Sequence, residues 1–157
     1  TLHLERQAVD LVQFLQRSAD AHRDRFQDQH IALDYQVLSS DIQIVVDLDR
    51  MTQVMNNLLG NALRYVPAGG TVVLRAALED HGVVISVIDN GPGVAPEDVQ
   101  HLFERFWRGD PSRSRETGGS GLGLTIARRI IEAHNGRIWA ETSPGGGLTL
   151  NIWLPTA

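Results

Sequence analysis

The stretch NNLLGNALRY, from Asn56 to Tyr65, lies within a run of apolar residues that repeat with the period of an α-helix. The apolar positions are Met51, Val54, Met55, Leu58, Leu59, Ala62 and Leu63. At about 100° per residue, Gln53, Asn57, Asn61 and Arg64 fall on the opposite side. The stretch therefore predicts a helix, capped by Asp49, that buries one side and presents neutral amides on the other.

The flanking segments predict a mixture of helices and strands. Helical spacing indicates helices at residues 9–25 and 123–134, and a short helix that begins at Pro96. Runs rich in β-branched residues predict strands at residues 31–37, 42–48, 71–78, 83–88, 137–141 and 148–154. Residues 71–88 are expected to form an antiparallel hairpin through the turn EDHG. The pattern predicts one domain, residues 1–157, with helices on one face of a mixed sheet.

Composition excludes several classes of protein. The net charge of -5 argues against a nucleic-acid binder, and the absence of cysteine excludes disulfides and thiolate metal sites. All 14 basic residues are arginine, so neither a Walker A loop nor a protein-kinase fold, each of which needs a lysine on the phosphates, is possible. No apolar run approaches the ~20 residues of a membrane span. The chain opens without a signal-like segment, and because it starts at Thr1 and not at a methionine, we expect a fragment of a longer protein.

Two glycine-containing motifs indicate a nucleotide. In DNGPG, Gly91 and Gly93 allow the backbone to approach a flat ligand, and Asp89 at the strand end can accept a hydrogen bond from an exocyclic amine. In GGSGLGL, residues 118–124 open a helix whose free N–H groups suit phosphate. The alternative interpretations are a simple turn for the first motif and a flexible hinge for the second.

The amides Asn57 and Asn61 lie one helical turn apart, in line with Arg64. An amide carbonyl is a neutral oxygen ligand that Mg²⁺ accepts beside water and phosphate oxygens. Surface amides on a polar face are the alternative interpretation.

A loop is predicted at residues 107–120, and it carries Arg108, Arg113 and Arg115. These arginines could contact phosphate oxygens. The alternative interpretation is a solvated charged loop without a ligand.

Five motifs occur in the order NNLLGNALRY, DNGPGV, LFERFWRGD, GGSGLGL and SPGGGLTL. Together they resemble the N, G1, F, G2 and G3 boxes of the ATP-binding catalytic domain of sensor histidine kinases, in the superfamily of gyrase, mismatch-repair and chaperone ATPases. The resemblance covers about residues 4–155. It implies the Bergerat fold, an α+β two-layer α/β sandwich whose mixed, mostly antiparallel sheet is covered on one face by three helices. ATP would lie under a lid at about residues 107–120.

The resemblance also implies roles for individual residues, with ATP and Mg²⁺ as cofactors. Asn57, Arg64 and Arg108 would be the catalytic residues, and Asn61 would hold the metal; Arg64 stands where the family usually has lysine. Phe103 and Phe106 would anchor the lid, with Trp107 in place of the more usual tyrosine. The other nucleotide contacts would be Tyr65 at the ribose or phosphates, Asp89, Gly91 and Gly93 at adenine, Gly119, Gly121, Leu122 and Gly123 at the phosphates, and Thr149 in the adenine water network.

The amide at Asn57 suggests which reaction the site performs. Hydrolysing members of the superfamily keep a glutamate there, and a general base of that kind contributes roughly 10²–10⁴-fold. We therefore expect transfer of the γ-phosphoryl group to an outside nucleophile. The family's acceptor histidine is followed by an acidic residue, and none of the six histidines of this chain has that neighbour.

The expected partners are a dimerisation and histidine phosphoacceptor domain of the same protein and a response regulator receiver domain, with no nucleic acid and no direct membrane contact. The expected place is the cytoplasmic end of a membrane-anchored sensor. Two alternatives stay open, an ATP-hydrolysing member of the superfamily and a non-catalytic nucleotide-binding regulatory module. A serine kinase of the anti-sigma type is a near relative of the favoured class.

Overall fold

The computed structural model describes residues 2–37, 41–104 and 123–156. Within these ranges the chain forms seven strands, three α-helices and one 3₁₀ helix. The strands are β1 (Arg6–Asp10), β2 (Ala32–Val37), β3 (Gln43–Asp47), β4 (Thr71–Glu79), β5 (Gly82–Asp89), β6 (Arg137–Thr142) and β7 (Leu148–Pro155). The α-helices are α1 (Leu11–Asp28), α2 (Leu48–Tyr65) and α3 (Gly123–Ala133), and the 3₁₀ helix is Pro96–His101.

Five of the strands form one mixed sheet in the order β2-β4-β5-β7-β6. Only β2 and β4 run parallel; the pairs β4–β5, β5–β7 and β6–β7 are antiparallel. The predicted hairpin of β4 and β5 and the mostly antiparallel sheet are therefore confirmed. Since β5 and β7 are neighbours, the end of β5 at Asp89 lies beside the start of β7.

The core lies between this sheet and the helices. Alternate residues of the central strands are buried, as Val72, Leu74 and Ala76 of β4 illustrate. The buried residues of α2 are the seven predicted from the sequence, namely Met51, Val54, Met55, Leu58, Leu59, Ala62 and Leu63. Full burial of one such large side chain contributes about 1.5–3 kcal/mol, so the buried side fixes the rotation of α2 and, with it, the direction of its polar side.

The first helix differs from the prediction at its start. Val9 fits the helical spacing but belongs to β1, where it pairs with Ile44 of β3. The helix begins after Asp10, whose side chain accepts a hydrogen bond from the backbone N–H of Gln13. A short strand that pairs with a distant partner leaves little local signal, and the helical period continues across the boundary by coincidence.

The predicted strands 31–37 and 42–48 exist as β2 and β3, but they lie in different sheets. β2 is an edge strand of the five-stranded sheet, whereas β3 pairs antiparallel with β1. β3 also ends one residue earlier than expected, because Asp47 rather than Asp49 caps α2 by accepting the Arg50 N–H on its side chain. No helix within the described ranges is long and apolar enough to cross a bilayer.

Candidate functional site

The polar side of α2 faces the first residue of α3. Asn57 is partly buried, and its Nδ2 donates a hydrogen bond of 2.9 Å to the carbonyl oxygen of Gly123. That bond uses the donor end of the amide. No described residue bonds its Oδ1, so a neutral acceptor stays available close to the start of α3.

Three further polar residues continue this side of α2 towards its C-terminus. Asn61 is partly buried, Arg64 is exposed, and Tyr65 is 41% exposed. None of the three makes a side-chain hydrogen bond or ion pair with another residue in the described parts of the chain. The three side chains are therefore available to a ligand, whereas their apolar neighbours on α2 are committed to the core.

Asp89 forms the second part of the site, at the end of β5. Its side chain is held in place, since Oδ1 accepts hydrogen bonds from the N–H of Gly91 at 2.9 Å and of Leu148 at 3.1 Å. The residue is only 8% exposed. No described residue donates to Oδ2, and that atom is not sealed from solvent. An oriented carboxylate with one free oxygen is suited to accept a hydrogen bond from a ligand amine.

The glycines around Asp89 are required by close backbone contacts. A Cβ on Gly147 would overlap the carbonyl group of Asp89. Gly93 has a φ of +69°, and a Cβ there would overlap the carbonyl oxygen of Gly146. Gly91 lies against Val66, the C-cap of α2, so the DNGPG turn meets the same helix that carries the amides.

The structure does not bring the Thr149 hydroxyl to Asp89. Thr149 pairs with Ile88 and alternates with Leu148, so its side chain leaves the opposite face of the sheet from Asp89. Its hydroxyl instead lies 2.8 Å from the hydroxyl of Ser143, and both residues are buried. At Asp89 the contribution of β7 is the Leu148 N–H.

Sequence reasoning missed Gly147 and Leu148 as parts of the site. The glycine cluster of SPGGGLTL was a usable signal for a tight approach, but its partner was not evident. Only the register of β5 and β7 shows that Gly147 lies against the backbone of Asp89.

The lid prediction lies almost entirely outside the described residues. Of its anchors, Phe103 is described and is 8% exposed, and its carbonyl oxygen accepts a hydrogen bond of 3.0 Å from the Thr125 hydroxyl. This bond attaches the segment after the 3₁₀ helix to the first turn of α3. The predicted residues outside the described ranges are Phe106, Trp107, Arg108, Arg113, Arg115, Gly119, Gly121 and Leu122.

Two of the histidines are buried away from the polar side of α2. His22 is 1% exposed; its Nδ1 donates to the Ser18 carbonyl, and its Nε2 has no partner in the described ranges. Burial lowers the pKa of His22, the Ser18 bond opposes this, and the charge of Arg25 adds to the lowering. His134 is 2% exposed and uses both ring nitrogens within the protein.

The carboxyl group of Asp47 also has a shifted pKa. Hydrogen bonds from the N–H groups of Arg50 and Glu5 lower its pKa, and burial opposes them; the charge of Arg50 adds to the lowering. These two bonds measure 3.0 and 2.9 Å. The charged form of Asp47 is therefore part of the native fold.

The fold and the site together define a class. A two-layer α/β sandwich places a free carboxylate oxygen at a glycine turn and a row of amides on one helix, beside the start of a second helix. The described residues contain no cluster of three or more histidine, aspartate or glutamate side chains that would hold a metal by itself. Within the described ranges, the groups open to a ligand are the carboxylate oxygen at the glycine turn and the amide oxygens on α2.

Comparison with known proteins gives the family. The chain belongs to the family of histidine kinase-, DNA gyrase B- and HSP90-like ATPases, which matches residues 46–157. The chain is 43% identical to the signal transduction histidine-protein kinase BaeS of Escherichia coli (strain K12) over 154 residues, covering 98% of this chain and 33% of BaeS. It is 37% identical to the sensor histidine kinase WalK of Bacillus subtilis (strain 168), covering 96% of this chain and 25% of WalK. The chain thus spans about a third or less of these relatives.

Solved structures agree with the family and the fold. Full-length ShkA in complex with AMPPNP superposes with a TM-score of 0.86 at 32% identity, covering 99% of this chain and 32% of ShkA. The nucleotide-free catalytic domain of the histidine kinase ThkA gives a TM-score of 0.85 at 25% identity, covering 97% of this chain and 96% of that domain. The two-layer sandwich predicted from the motifs is therefore confirmed.

Proposed function

We propose that this chain binds Mg-ATP and transfers the γ-phosphoryl group to a histidine on a separate dimerisation domain, as a step of two-component signal transduction. One observation carries the proposal. The amide of Asn57 is bonded to Gly123 at the start of α3, and the resemblance implies that hydrolysing members of the superfamily keep an acid in its place. The similarity to BaeS and WalK, both named as histidine kinases, supports the same reaction.

Adenine is proposed to bind at Asp89. The exocyclic amine would donate to Oδ2, the oxygen that no described residue uses, while Oδ1 stays fixed by Gly91 and Leu148. Gly91 and Gly93 would let the backbone approach the ring. Thr149, expected in the adenine water network, has its hydroxyl beside Ser143, and we assign it no direct contact with the base.

The phosphates are proposed to lie at the start of α3. The N-terminus of a helix presents unpaired N–H groups and about half a positive charge to an anion. Gly123 begins this helix, and Gly119, Gly121 and Leu122 are assigned to the same phosphate cradle from the resemblance. Arg64 and Tyr65, both exposed near the end of α2, would contact the phosphates or ribose, and Arg108 would approach from the lid.

The residues present fit a magnesium ion. Asn61 offers an amide oxygen that no described residue engages, on the same side of α2 as Asn57. Mg²⁺ in nucleotide sites typically uses one or two protein oxygens and completes its shell with phosphate oxygens and water. Asn61 would hold the ion, which would neutralise charge on the phosphates.

The residues of the proposed site would position the reacting groups, but they would not activate a nucleophile by removing its proton. An amide cannot remove a proton from water, and the donor end of Asn57 is already committed to Gly123. Phosphoryl transfer depends mainly on alignment and neutralisation of charge, which the helix terminus, Arg64 and Arg108 would supply. Water would thus remain a poor nucleophile, and the γ-phosphoryl group would be transferred to the imidazole of a histidine on a separate domain.

The proposed acceptor lies on another domain, because none of the six histidines precedes an acidic residue and both His22 and His134 are buried. The partners would be the dimerisation and histidine phosphoacceptor domain of the same protein and, downstream, a response regulator receiver domain. The proposed location is the cytoplasmic end of a membrane-anchored sensor, without direct membrane contact by this domain.

Mixing the chain with a matching acceptor domain and γ-labelled Mg-ATP tests the proposal. We expect an acid-labile phosphohistidine on the acceptor domain and slow release of free phosphate by the chain alone. Nucleotide binding without phosphohistidine would favour a regulatory module. Steady ATP hydrolysis without the acceptor, at the rate of true ATPases, would favour the hydrolytic alternative.

A further inference from the structure

Helices α2 and α3 are joined by hydrogen bonds at two widely separated points, and only one of them is in the proposed nucleotide site. We propose that His134 is a positioning residue: it fixes α3 along its axis and so holds Gly123, at the other end of the helix, in register with Asn57. The inference rests on the proposed function, since Gly123 is assigned there to the phosphates.

The near point is the bond from Asn57 Nδ2 to the Gly123 carbonyl, at 2.9 Å. The far point is His134, the residue after α3, whose Nε2 accepts the backbone N–H of Asp47 at 3.0 Å. The other ring nitrogen, Nδ1, donates to the Ile130 carbonyl in the last turn of α3 at 2.7 Å. One imidazole therefore bridges the end of α3 to the cap of α2.

The spacing of the two points matches an antiparallel helix pair. Asn57 lies ten positions after Asp47, and His134 lies eleven positions after Gly123. At about 1.5 Å per residue these intervals are about 15 and 17 Å, nearly the same length along the two axes. The two bonds therefore hold α3 at both ends against the same stretch of α2.

Apolar packing alone would not fix this register. α3 buries Ala127, Ile130 and Ile131, and such contacts are non-directional, so they select which face of the helix is inward more strongly than its position along the axis. A hydrogen bond of defined length and angle supplies the axial constraint. Because an α-helix is stiff, a constraint at His134 acts on Gly123.

The same cluster reaches the beginning of the described chain. Asp47 accepts the Glu5 N–H on Oδ2 at 2.9 Å, and the Arg6 guanidinium donates to the Ala133 carbonyl at 3.1 Å. Glu5 and Arg6 therefore bond to the cap of α2 and to the end of α3. A change in the position of this segment would reach the phosphate end of the site through α3.

The test compares the affinities of two ligands, because a general loss of stability would weaken the binding of both equally. Adenosine would use Asp89 but no phosphate contact, whereas a non-hydrolysable ATP analogue with Mg²⁺ would use both. For His134→Asn, whose side chain is too short to reach Asp47, we expect roughly tenfold weaker binding of the analogue and adenosine affinity within about twofold of the parent. For His134→Gln, whose Oε1 can accept the Asp47 N–H, we expect most of the analogue affinity to return.

The outcomes separate the inference from the proposed function. Equal losses for both ligands, no loss for either, or equal behaviour of the asparagine and glutamine variants would overturn the positioning role. Failure of the parent chain to bind the analogue would overturn the proposed function and this inference with it. If the asparagine variant does not fold, the glutamine variant still decides, because it must fold and bind the analogue more tightly than Asn57→Ala, which breaks the near point.

Discussion

At the scale of single residues, Asn57 shows why an amide differs from an acid at this position. Its donor end is bonded to Gly123, and no residue in the described ranges donates to its acceptor end. A carboxylate of the same size would have no donor for that carbonyl and would bring a negative charge beside proposed phosphates. The amide thus joins two helices and offers a neutral ligand, which no acid does.

Asn57→Asp should therefore weaken nucleotide binding while leaving the fold intact. Loss of the Gly123 bond and the added charge are expected to cost roughly 1.5–3 kcal/mol, or about 10- to 100-fold in affinity for a Mg-ATP analogue. Calorimetric titration measures this change. Asn56→Asp is the matched control, since it makes the same substitution at an exposed neighbour on α2. Equal losses in both variants would show that net charge, and not the Gly123 bond, controls affinity.

The residue scale is also where sequence prediction succeeded and failed most clearly. The polar side of α2 was evident because its apolar side is so regular. The hydrogen bond from Asn57 to Gly123, 66 positions away, was not evident from the sequence. No local pattern indicates a contact between helices that are distant in sequence. Thr149 illustrates the same limit, since its direction depends on the β5–β7 register.

At the scale of elements, the type of each element was more predictable than its partner. All seven buried residues of α2 follow from period alone. β1 was missed, and β2 and β3 belong to separate sheets, whereas the pattern predicted a single mixed sheet. Strand pairing is settled by tertiary packing, which a single strand's composition does not contain.

Two glycines with opposite surroundings test the packing of these elements. Gly147→Ala would place a Cβ against the Asp89 backbone, so we expect destabilisation by about 1–3 kcal/mol and weaker nucleotide binding. Gly60→Ala lies within α2, where an added Cβ meets nothing within 4 Å. That change should stabilise the domain by about 0.5–1 kcal/mol. Chemical unfolding of both variants measures the difference; two changes of the same sign would contradict the described backbone at the site.

At the scale of the whole molecule, two buried groups make stability depend on pH. The pKa of His22 is lowered in the fold, so as pH falls below about 6.5 the unfolded chain takes up a proton that the native chain resists, and stability declines. The pKa of Asp47 is lowered as well, so its contribution is present above the ordinary aspartate range and is lost as pH falls through its folded value. Both groups make the fold weaker in acid; the decline due to His22 begins at a higher pH than the decline due to Asp47.

His22→Leu should remove the first of these declines. Unfolding free energies at pH 7.5 and pH 5.5, compared within each variant, are expected to differ less in His22→Leu than in the parent. The exposed His3 provides the control, since His3→Leu should retain the parent's decline. At neutral pH, removal of Nε2, which is buried and has no partner among the described residues, should also raise stability by about 1 kcal/mol. An unaltered decline in His22→Leu would assign the acid sensitivity to another group.

The central claim is that the polar side of α2 and the glycine turn at Asp89 bind one Mg-nucleotide. Calorimetric titration of a non-hydrolysable ATP analogue, with and without Mg²⁺, tests it on the parent, on Asp89→Asn and on the exposed control Asp34→Asn. Asparagine keeps an oxygen for Gly91 and Leu148 but turns an N–H₂ donor towards the adenine amine. The account predicts binding by the parent that Mg²⁺ strengthens, no change in Asp34→Asn, and a loss of about 100-fold in Asp89→Asn. Unchanged affinity in Asp89→Asn would contradict it.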